Sequence, residues 1–292
     1  IAIDLMCFTK YHKFGIFVKR CAPIQVNYLG YPGTSGANYL DYIIADKIII
    51  PKESQKYYSE KIVYLPNTYQ ANDSTKKISD KIFTREELGL PKDGFVFCCF
   101  NNNYKITPQV FDVWMRLLEK VENSVLWILS EDINISKNLK KEATIRGIDF
   151  NRIVFAERIK MNEHLARQKV ADLFIDTFPY TGHTTASDAL WVGLPVLTRI
   201  GKSFASRVSA SLLNAIGLST LVTSSAKEYE DLAIELATNP AKLKEIKNKL
   251  KNNRNTKALF NTQVFTRNIE KAYSLMYERY LINLPLDNIE IN

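Results

Sequence analysis

From residue 95 onward, short apolar runs alternate with amphipathic segments. The run 95–100 is followed by Thr107 and Pro108, a typical helix start, and then by apolar residues at helical spacing. Further apolar runs, separated by predicted helices, lie at 124–129, 153–155, 171–176 and 195–198. Strands that alternate with helices of this length predict a parallel sheet with helices on both faces, and therefore an α/β fold.

Several helix boundaries are marked by specific residues. The predicted helix 185–192 ends at Gly193, and Ser225 with Glu228 forms a capping box that opens another helix. The last helix, about 262–280, has an apolar face and is predicted to return to the junction with a first domain. That face consists of Phe265, Ile269, Ala272, Tyr273, Met276 and Tyr280.

The first part of the chain is organised differently, with short β-like runs at 1–8, 24–29, 42–50 and 62–65. The loop 29–36 contains three glycines, but it lacks the Gly-Lys-Ser/Thr ending of a P-loop and the G-x-G-x-x-G spacing. Polar residues dominate 67–93, as is typical of a linker. We therefore predict two domains, 1–80 and 81–292.

The composition is that of an ordinary globular chain, with 292 residues, 46% hydrophobic residues and a net charge of +8. Lysines are scattered and not clustered with aromatic residues, so no nucleic-acid partner is predicted. The four cysteines lack C-x-x-C spacing, and no apolar stretch approaches the ~20 residues of a membrane span. We predict a cytoplasmic protein without a membrane span. The abrupt start at Ile1 leads us to expect a fragment of a longer polypeptide.

A Gly-His-Thr-Thr turn joins an apolar strand directly to a helix. Gly182 would allow a tight turn, and Thr184 and Thr185 stand where helix N-caps belong, so hydroxyls and free amides would converge on a phosphate. His183 adds a donor whose charge can follow an anionic ligand. The alternative is a simple capping box in which Asp188 answers Thr185.

Two further polar groups follow predicted strands or open a helix, near the edge where ligands bind in an open α/β sheet. Asn102 could bind a phosphate or sugar, and Lys105 could stabilise a departing diphosphate; the alternative is a solvated Asn-rich turn. His164 and Arg167 could face a nucleotide or be ordinary surface residues. No metal is expected, because the chain has three histidines, no H-E-x-x-H and no Asp-x-Asp.

These residues together resemble the catalytic region of the O-linked N-acetylglucosamine transferase family, including its bacterial and SPINDLY-like branches. The resemblance covers essentially the whole chain, in the blocks 22–25, 29–36, 41–44, 58–61, 104–106, 124–127, 182–185, 205–208 and 259–262. It implies a GT-B fold with two Rossmann-like domains, the first incomplete here, and tetratricopeptide repeats upstream. It also implies metal-independent, inverting transfer of N-acetylglucosamine from a UDP-sugar to Ser/Thr hydroxyls of a protein, without a cofactor.

The resemblance assigns roles to individual residues. Lys105 would be the catalytic residue that stabilises the UDP diphosphate, and Asn102 stands where better-known members have glutamine. The other UDP-sugar contacts would be Gly182, His183, Thr184 and Thr185 at the phosphates, Asp188 at the ribose, His164 and Arg167 beside the nucleoside, and Gly30 and Pro32 at the sugar.

Two positions depart from the family pattern. Tyr180 stands where the animal enzymes have a cysteine beside the N-acetyl group, which leaves the identity of the sugar open, and Met161 replaces a lysine that borders the nucleotide. Two alternatives to transfer also remain open. The chain could be a catalytically incomplete UDP-sugar-binding module, or a nucleotide-sugar epimerase on the same fold.

Overall fold

The computed structural model describes residues 1–130 and 132–292, which form two compact units. Unit 1 consists of Ile1–Ser74, Lys202–Ala215 and Ala258–Asn292, and unit 2 consists of Thr75–Gly201 and Ile216–Lys257. These units differ from the predicted ranges 1–80 and 81–292, because two later segments pack with the first 74 residues. The periodicity of a helix shows which face is buried, but it does not show which unit buries that face.

The strands are short and are numbered along the chain. They are β1 Ala2–Asp4, β2 Gln25–Asn27, β3 Tyr42–Asp46, β4 Lys61–Leu65, β5 Val96–Cys99, β6 Val125–Leu129, β7 Ile153–Ala156, β8 Leu173–Ile175, β9 Val196–Arg199, β10 Val222–Thr223 and β11 Ile289–Glu290. The α-helices are α1 Gly15–Val18, α2 Pro108–Lys120, α3 Ile133–Ile145, α4 Met161–Arg167, α5 Thr184–Val192, α6 Val208–Ala215, α7 Ala226–Thr238, α8 Pro240–Thr256 and α9 Thr262–Leu281.

Unit 1 is built on a parallel sheet with the strand order β1-β2-β3-β4-β11. The four β-like runs predicted near the start of the chain are confirmed as β1 to β4. Strand β11 was not predicted, because two residues are too few to show a period; its Ile289 pairs with Val63 of β4. Every residue of β3 is buried, which places this strand in the core of the unit.

Unit 2 is built on a second parallel sheet, with the order β10-β9-β8-β5-β6-β7. The predicted parallel α/β organisation is therefore confirmed. The chain runs outward from β5 through β6 to β7, then returns to β8 on the other side of β5 and runs outward again. The strand order thus reverses between β5 and β8, and in such sheets ligands bind beside the carboxyl ends of the two strands at that point.

Local helix signals were largely correct, but the apolar face of the last helix was overestimated. The hydroxyl of Thr107 accepts from the backbone N–H of Val110, and that of Ser225 accepts from the N–H of Glu228, as the capping patterns predict. In α9, Ala272 and Met276 are the fully buried positions of the predicted face. None of the helices within 1–130 and 132–292 is long and apolar enough to cross a membrane.

Candidate functional site

The carboxyl ends of β5 and β8 are connected by side chains that sequence reasoning did not select. Asp176, which follows β8, is fully buried, and its Oδ1 accepts from Asn101 Nδ2 at 2.8 Å and from the Gly182 N–H at 2.6 Å. Its Oδ2 accepts from the hydroxyl of Thr198 at 2.7 Å. The other end of the Asn101 amide, Oδ1, accepts from the hydroxyl of Thr185. The turn after β8 is therefore fixed to three neighbouring strands of the sheet.

The glycine of this turn lies very close to neighbouring side chains. An added Cβ at Gly182 would lie 3.0 Å from both Asn101 Oδ1 and Thr185 Oγ1 and 3.1 Å from Ala186 Cβ. These contacts are tighter than ordinary side-chain packing, so the network described above and a side chain at position 182 compete for the same space. Gly182 thus serves close packing, whereas the sequence prediction gave it a role in turning the backbone.

Helix α5 begins one residue earlier than predicted. The N-cap is His183, without a side-chain capping bond, and Thr184 and Thr185 are the first two helical residues. Their predicted assignment as N-caps is wrong, because the hydroxyl of Thr185 donates across the sheet to Asn101 and does not cap. The free amides at the start of a helix still make this position suited to an anion, and Thr184 is exposed there.

The capping-box alternative is also wrong. Asp188 is buried, and its Oδ1 accepts from Lys76 Nζ at 2.5 Å, while the Thr185 hydroxyl is bonded elsewhere. Burial raises the pKa of Asp188, and the ammonium of Lys76 acts in the opposite direction. Lys76 carried no signal in the sequence, since it lies 112 positions before its partner.

The predicted lysine after β5 does reach the turn that follows β8. Lys105 ends a 3₁₀ turn, Asn103–Lys105, and its Nζ donates to the carbonyl of Thr181 at 2.9 Å. The same ammonium lies 3.9 Å from the centre of the Tyr180 ring. Burial lowers the pKa of Lys105, and the charge of Asp176 partly offsets this. A partly desolvated cation is therefore held beside the turn, which contradicts the alternative of a merely solvated loop.

Arg167 is buried and His164 is half-buried against it, so the alternative of ordinary surface residues is wrong. Arg167 is 3% exposed, and its Nε and Nη2 lie 3.1 and 2.9 Å from His164 Nδ1. The His164 ring packs edge-on against Phe100, directly after β5, with 5.0 Å between ring centres. Burial, with a contribution from Arg167, lowers the pKa of His164 to about 4. The imidazole is therefore neutral near pH 7 and accepts through Nδ1.

This pKa predicts a specific pH dependence of stability. The folded pKa of about 4 lies below the ordinary 6.5, so His164 contributes fully above about pH 6.5 and its contribution is lost as the pH falls towards 4. We expect the loss to be about 2–3 kcal/mol in the free energy of unfolding. His164→Gln should lack this acid-dependent component in urea titrations at successive pH values, whereas His12→Gln, at an exposed histidine, should retain it. Equal slopes for both variants would contradict the prediction.

The remaining predicted residues are not part of this network. Asn102 is exposed beside it. Gly30 and Pro32 lie in unit 1, in the loop after β2, where an added Cβ at Gly30 would lie 2.0 Å from the carbonyl oxygen of Leu5. Their roles toward a sugar stay predictions, as do the ligand roles of the residues in unit 2.

The glycine-rich loop of unit 1 is held by a carboxylate that sequence reasoning missed. Glu60 is 3% exposed and accepts from the Ser35 N–H at 2.7 Å, the Thr34 hydroxyl at 2.5 Å and Asn27 Nδ2 at 3.2 Å. These hydrogen bonds keep the pKa of Glu60 low although burial alone would raise it. The sequence signal that could have identified this role was the charged residue Glu60 directly before β4.

We expect Glu60→Gln to loosen this loop without unfolding unit 1. Loss of the charged acceptor should cost about 1.4 kcal/mol locally, so the Ser35 amide should exchange with solvent about tenfold faster. Amide hydrogen exchange measures this directly. Glu53→Gln removes an exposed carboxylate of the same unit and should leave the Ser35 amide unchanged. An unaltered exchange rate in Glu60→Gln would show that Glu60 does not hold the loop.

The described part of the chain contains no cluster of side chains suited to bind a metal ion. Within 1–130 and 132–292, no group of three or more His, Cys, Asp or Glu side chains is placed to hold a metal ion. The two carboxylates nearest the turn are engaged with protein donors, as described above. Metal independence itself stays a prediction.

Comparison with known proteins places this site in a family. The model of glycosyl transferase family 41 matches residues 1–82 and 71–269. The chain belongs to glycosyl transferase family 41. The predicted resemblance is thereby confirmed, and the matched ranges include both the glycine-rich loop and the turn between β8 and α5.

Two curated relatives and one solved structure describe the similarity. The chain is 38% identical, over 95% of its length, to a probable UDP-N-acetylglucosamine–peptide N-acetylglucosaminyltransferase, SEC, of Arabidopsis thaliana. It is 33% identical, over 96% of its length, to a probable enzyme of the same name, SPINDLY, of rice. The solved K341M mutant of Thermobaculum terrenum O-GlcNAc transferase superimposes with a TM-score of 0.83 at 29% identity, covering 94% of the chain. The predicted GT-B fold class is therefore confirmed.

The chain corresponds to only part of these proteins. It spans 29% of the Arabidopsis relative, 30% of the rice relative and 52% of the solved Thermobaculum chain.

Proposed function

We propose that this chain is the catalytic region of a metal-independent, inverting enzyme that transfers N-acetylglucosamine from a UDP-sugar to Ser/Thr hydroxyls of proteins. The main support is that a cation and free helix amides lie together where the strand order reverses, between β5 and β8. Lys105 and the start of α5 both lie at the turn after β8, which is the chemistry that recognises a diphosphate. The names of the relatives, which are transferases of N-acetylglucosamine from UDP-N-acetylglucosamine to peptides, support the donor and the protein acceptor.

In this proposal, hydrogen-bond donors of the protein stabilise the leaving group, UDP. The hydroxyl oxygen of the acceptor Ser or Thr forms a new bond to the sugar carbon and releases its proton to solvent. The bond between the sugar carbon and the diphosphate oxygen breaks, and negative charge develops on the departing UDP. Lys105 would stabilise that charge at once, with the amides of Thr184 and Thr185 and the His183 ring as further donors. No cofactor enters this step. A cytoplasmic location and the absence of a nucleic-acid partner belong to the same proposal; the four cysteines are free thiols, as is usual in a reducing compartment.

An epimerase is less favoured by the described residues. Acid–base chemistry on the sugar needs carboxylates or histidines free to exchange protons with it. At this edge of the sheet Asp176 is fully buried and accepts hydrogen bonds from Asn101, Thr177, Gly182 and Thr198, and Asp188 is paired with Lys76. His164, with its low pKa, accepts from Arg167. None of these three groups has the character of a free acid or base.

The test separates transfer from mere binding. Calorimetric titration of the purified protein with UDP in the presence of EDTA should show binding, and UDP-N-acetylglucosamine with a Ser/Thr peptide should give a mass increase of one N-acetylhexosamine on the peptide. Binding without transfer would support the alternative of a UDP-sugar-binding module. No binding at all would overturn the proposed function.

A further inference from the structure

Lys76, which was not among the predicted site residues, forms an ion pair with Asp188 of α5. Asp188 has a side chain that is 7% exposed, and the ammonium of Lys76, 29% exposed, lies 2.5 Å from its Oδ1. A buried carboxylate without a partner becomes protonated, because burial disfavours the charged form. The ion pair with Lys76 therefore favours the charged form of Asp188, which is the form that acts only as an acceptor.

The main chain of Lys76 is held on the same helix. The indole N–H of Trp191 donates to the carbonyl of Lys76 at 3.0 Å. Positions 188 and 191 are neighbours on one face of a helix, so α5 contacts Lys76 at two points one turn apart. Such a two-point attachment restricts where the ammonium can lie, which a single surface ion pair does not do.

Other charged groups near α5 are engaged elsewhere. The elements packed against it are α4, the 3₁₀ turn Gln168–Val170, β9 and α8. Of their charged residues, His164 and Arg167 are bonded to each other, Arg199 lies over the Phe178 ring and Arg254 lies over the Trp191 ring. The others are Glu163 of α4, Lys169, and Lys242, Lys244, Glu245, Lys247, Lys249 and Lys251 of α8. Lys76 is the charge that acts on the pKa of Asp188.

We propose that Lys76 is a positioning residue of the UDP-sugar site, which keeps Asp188 ionised and oriented so that it can accept the ribose hydroxyls of the donor. This inference rests on the proposed function. A carboxylate has two oxygens with about four acceptor positions, so it can bind an ammonium and a diol together. The ammonium contacts Oδ1, which leaves acceptor capacity on the carboxylate for a neutral hydroxyl.

The role differs from that of Lys105 in what it should affect. Ribose binding is the same before and during the breaking of the sugar–phosphate bond, so its loss raises KM and leaves kcat nearly unchanged. The expected signature of Lys76 is therefore weaker donor binding, together with an altered response of binding to acid.

The experiment compares Lys76→Met, Lys76→Arg and Lys77→Met. Lys77 is exposed beside Lys76, so its variant makes the same change in net charge without touching Asp188. We expect Lys76→Met to weaken UDP binding about tenfold, the difference between a charge-assisted and a neutral hydrogen bond. Lys77→Met should bind like wild type, and Lys76→Arg should recover most of the affinity. In turnover, Lys76→Met should raise KM for the UDP-sugar with kcat nearly retained.

The loss of UDP affinity at low pH, called the acid limb here, distinguishes this role from a purely structural one, which would not change its pH. Without Lys76 the pKa of Asp188 rises further, so binding should be lost at a higher pH as the solution is acidified, in Lys76→Met but not in Lys77→Met. Equal affinities and equal acid limbs in both variants, with wild type binding UDP, would overturn this inference and leave the proposed function intact. Failure of wild type to bind UDP would overturn both.

Discussion

Replacing Lys105 by alanine should reduce kcat for sugar transfer by on the order of 10²-fold or more, while the protein stays folded. The ammonium lies 2.9 Å from the Thr181 carbonyl and 3.9 Å from the Tyr180 ring centre, so it is already in place when charge develops on UDP. Because the site is partly desolvated, the lost charge is not replaced effectively by water. Steady-state transfer to a peptide acceptor measures the loss.

The matched control for Lys105→Ala is Lys92→Ala. Lys92 is exposed and precedes β5, at the opposite end of the strand from Lys105, so its variant should keep wild-type kcat. Since burial lowers the pKa of Lys105, wild-type activity should also fall, as the pH rises, earlier than an ordinary lysine would allow. Transfer by Lys105→Ala within a few-fold of wild type would contradict the role assigned to this residue.

The parallel sheet of unit 2 could be predicted because its signals are local. A strand of four to six apolar residues and a capped amphipathic helix are each written in consecutive positions, as in 95–100 followed by Thr107 and Pro108. The carboxyl-edge rule then located the turn at Gly182 and the lysine at 105 without any knowledge of distant contacts. The same rule extends to Asn101 and Asp176, the first polar residues after β5 and β8.

The contacts that could not be predicted join positions far apart in the chain. Lys76 and Asp188 are 112 positions apart, and Thr185 reaches Asn101 across 84 positions. Hydrogen-bonding capacity is visible in a sequence, but the choice of partner depends on the folded sheet. The alternative of a capping box between Thr185 and Asp188 is wrong for this reason, because both side chains bond to distant partners.

Replacing Asp176 by alanine should have the largest effect on stability. The substitution removes one acceptor each from Asn101 Nδ2, the Gly182 N–H and the Thr198 hydroxyl in a fully buried site. Each unsatisfied buried group costs about 1–3 kcal/mol, so we expect a total loss of roughly 3–5 kcal/mol in the free energy of unfolding of unit 2. That is a large part of the ~5–15 kcal/mol stability of a typical domain.

Tryptophan fluorescence during urea unfolding isolates this effect. The three tryptophans, Trp114, Trp127 and Trp191, all belong to unit 2, so their emission follows the unit that contains Asp176. Asp80→Ala removes an exposed carboxylate of the same unit and should leave the midpoint unchanged. A midpoint for Asp176→Ala equal to that of Asp80→Ala would show that the buried network contributes little.

The two variants, Lys105→Ala and Asp176→Ala, should also separate catalysis from construction of the site. Lys105 contacts the turn from outside, through a hydrogen bond to Thr181 and the face of the Tyr180 ring, so its loss should lower kcat and change the unfolding midpoint much less than Asp176→Ala does. Asp176 fixes the Gly182 amide and, through Asn101, the start of α5, so its loss should weaken UDP binding and stability together. If Asp176→Ala bound UDP like wild type despite a lower midpoint, the turn would keep its shape without the carboxylate. The amides of α5 would then be positioned by the helix alone.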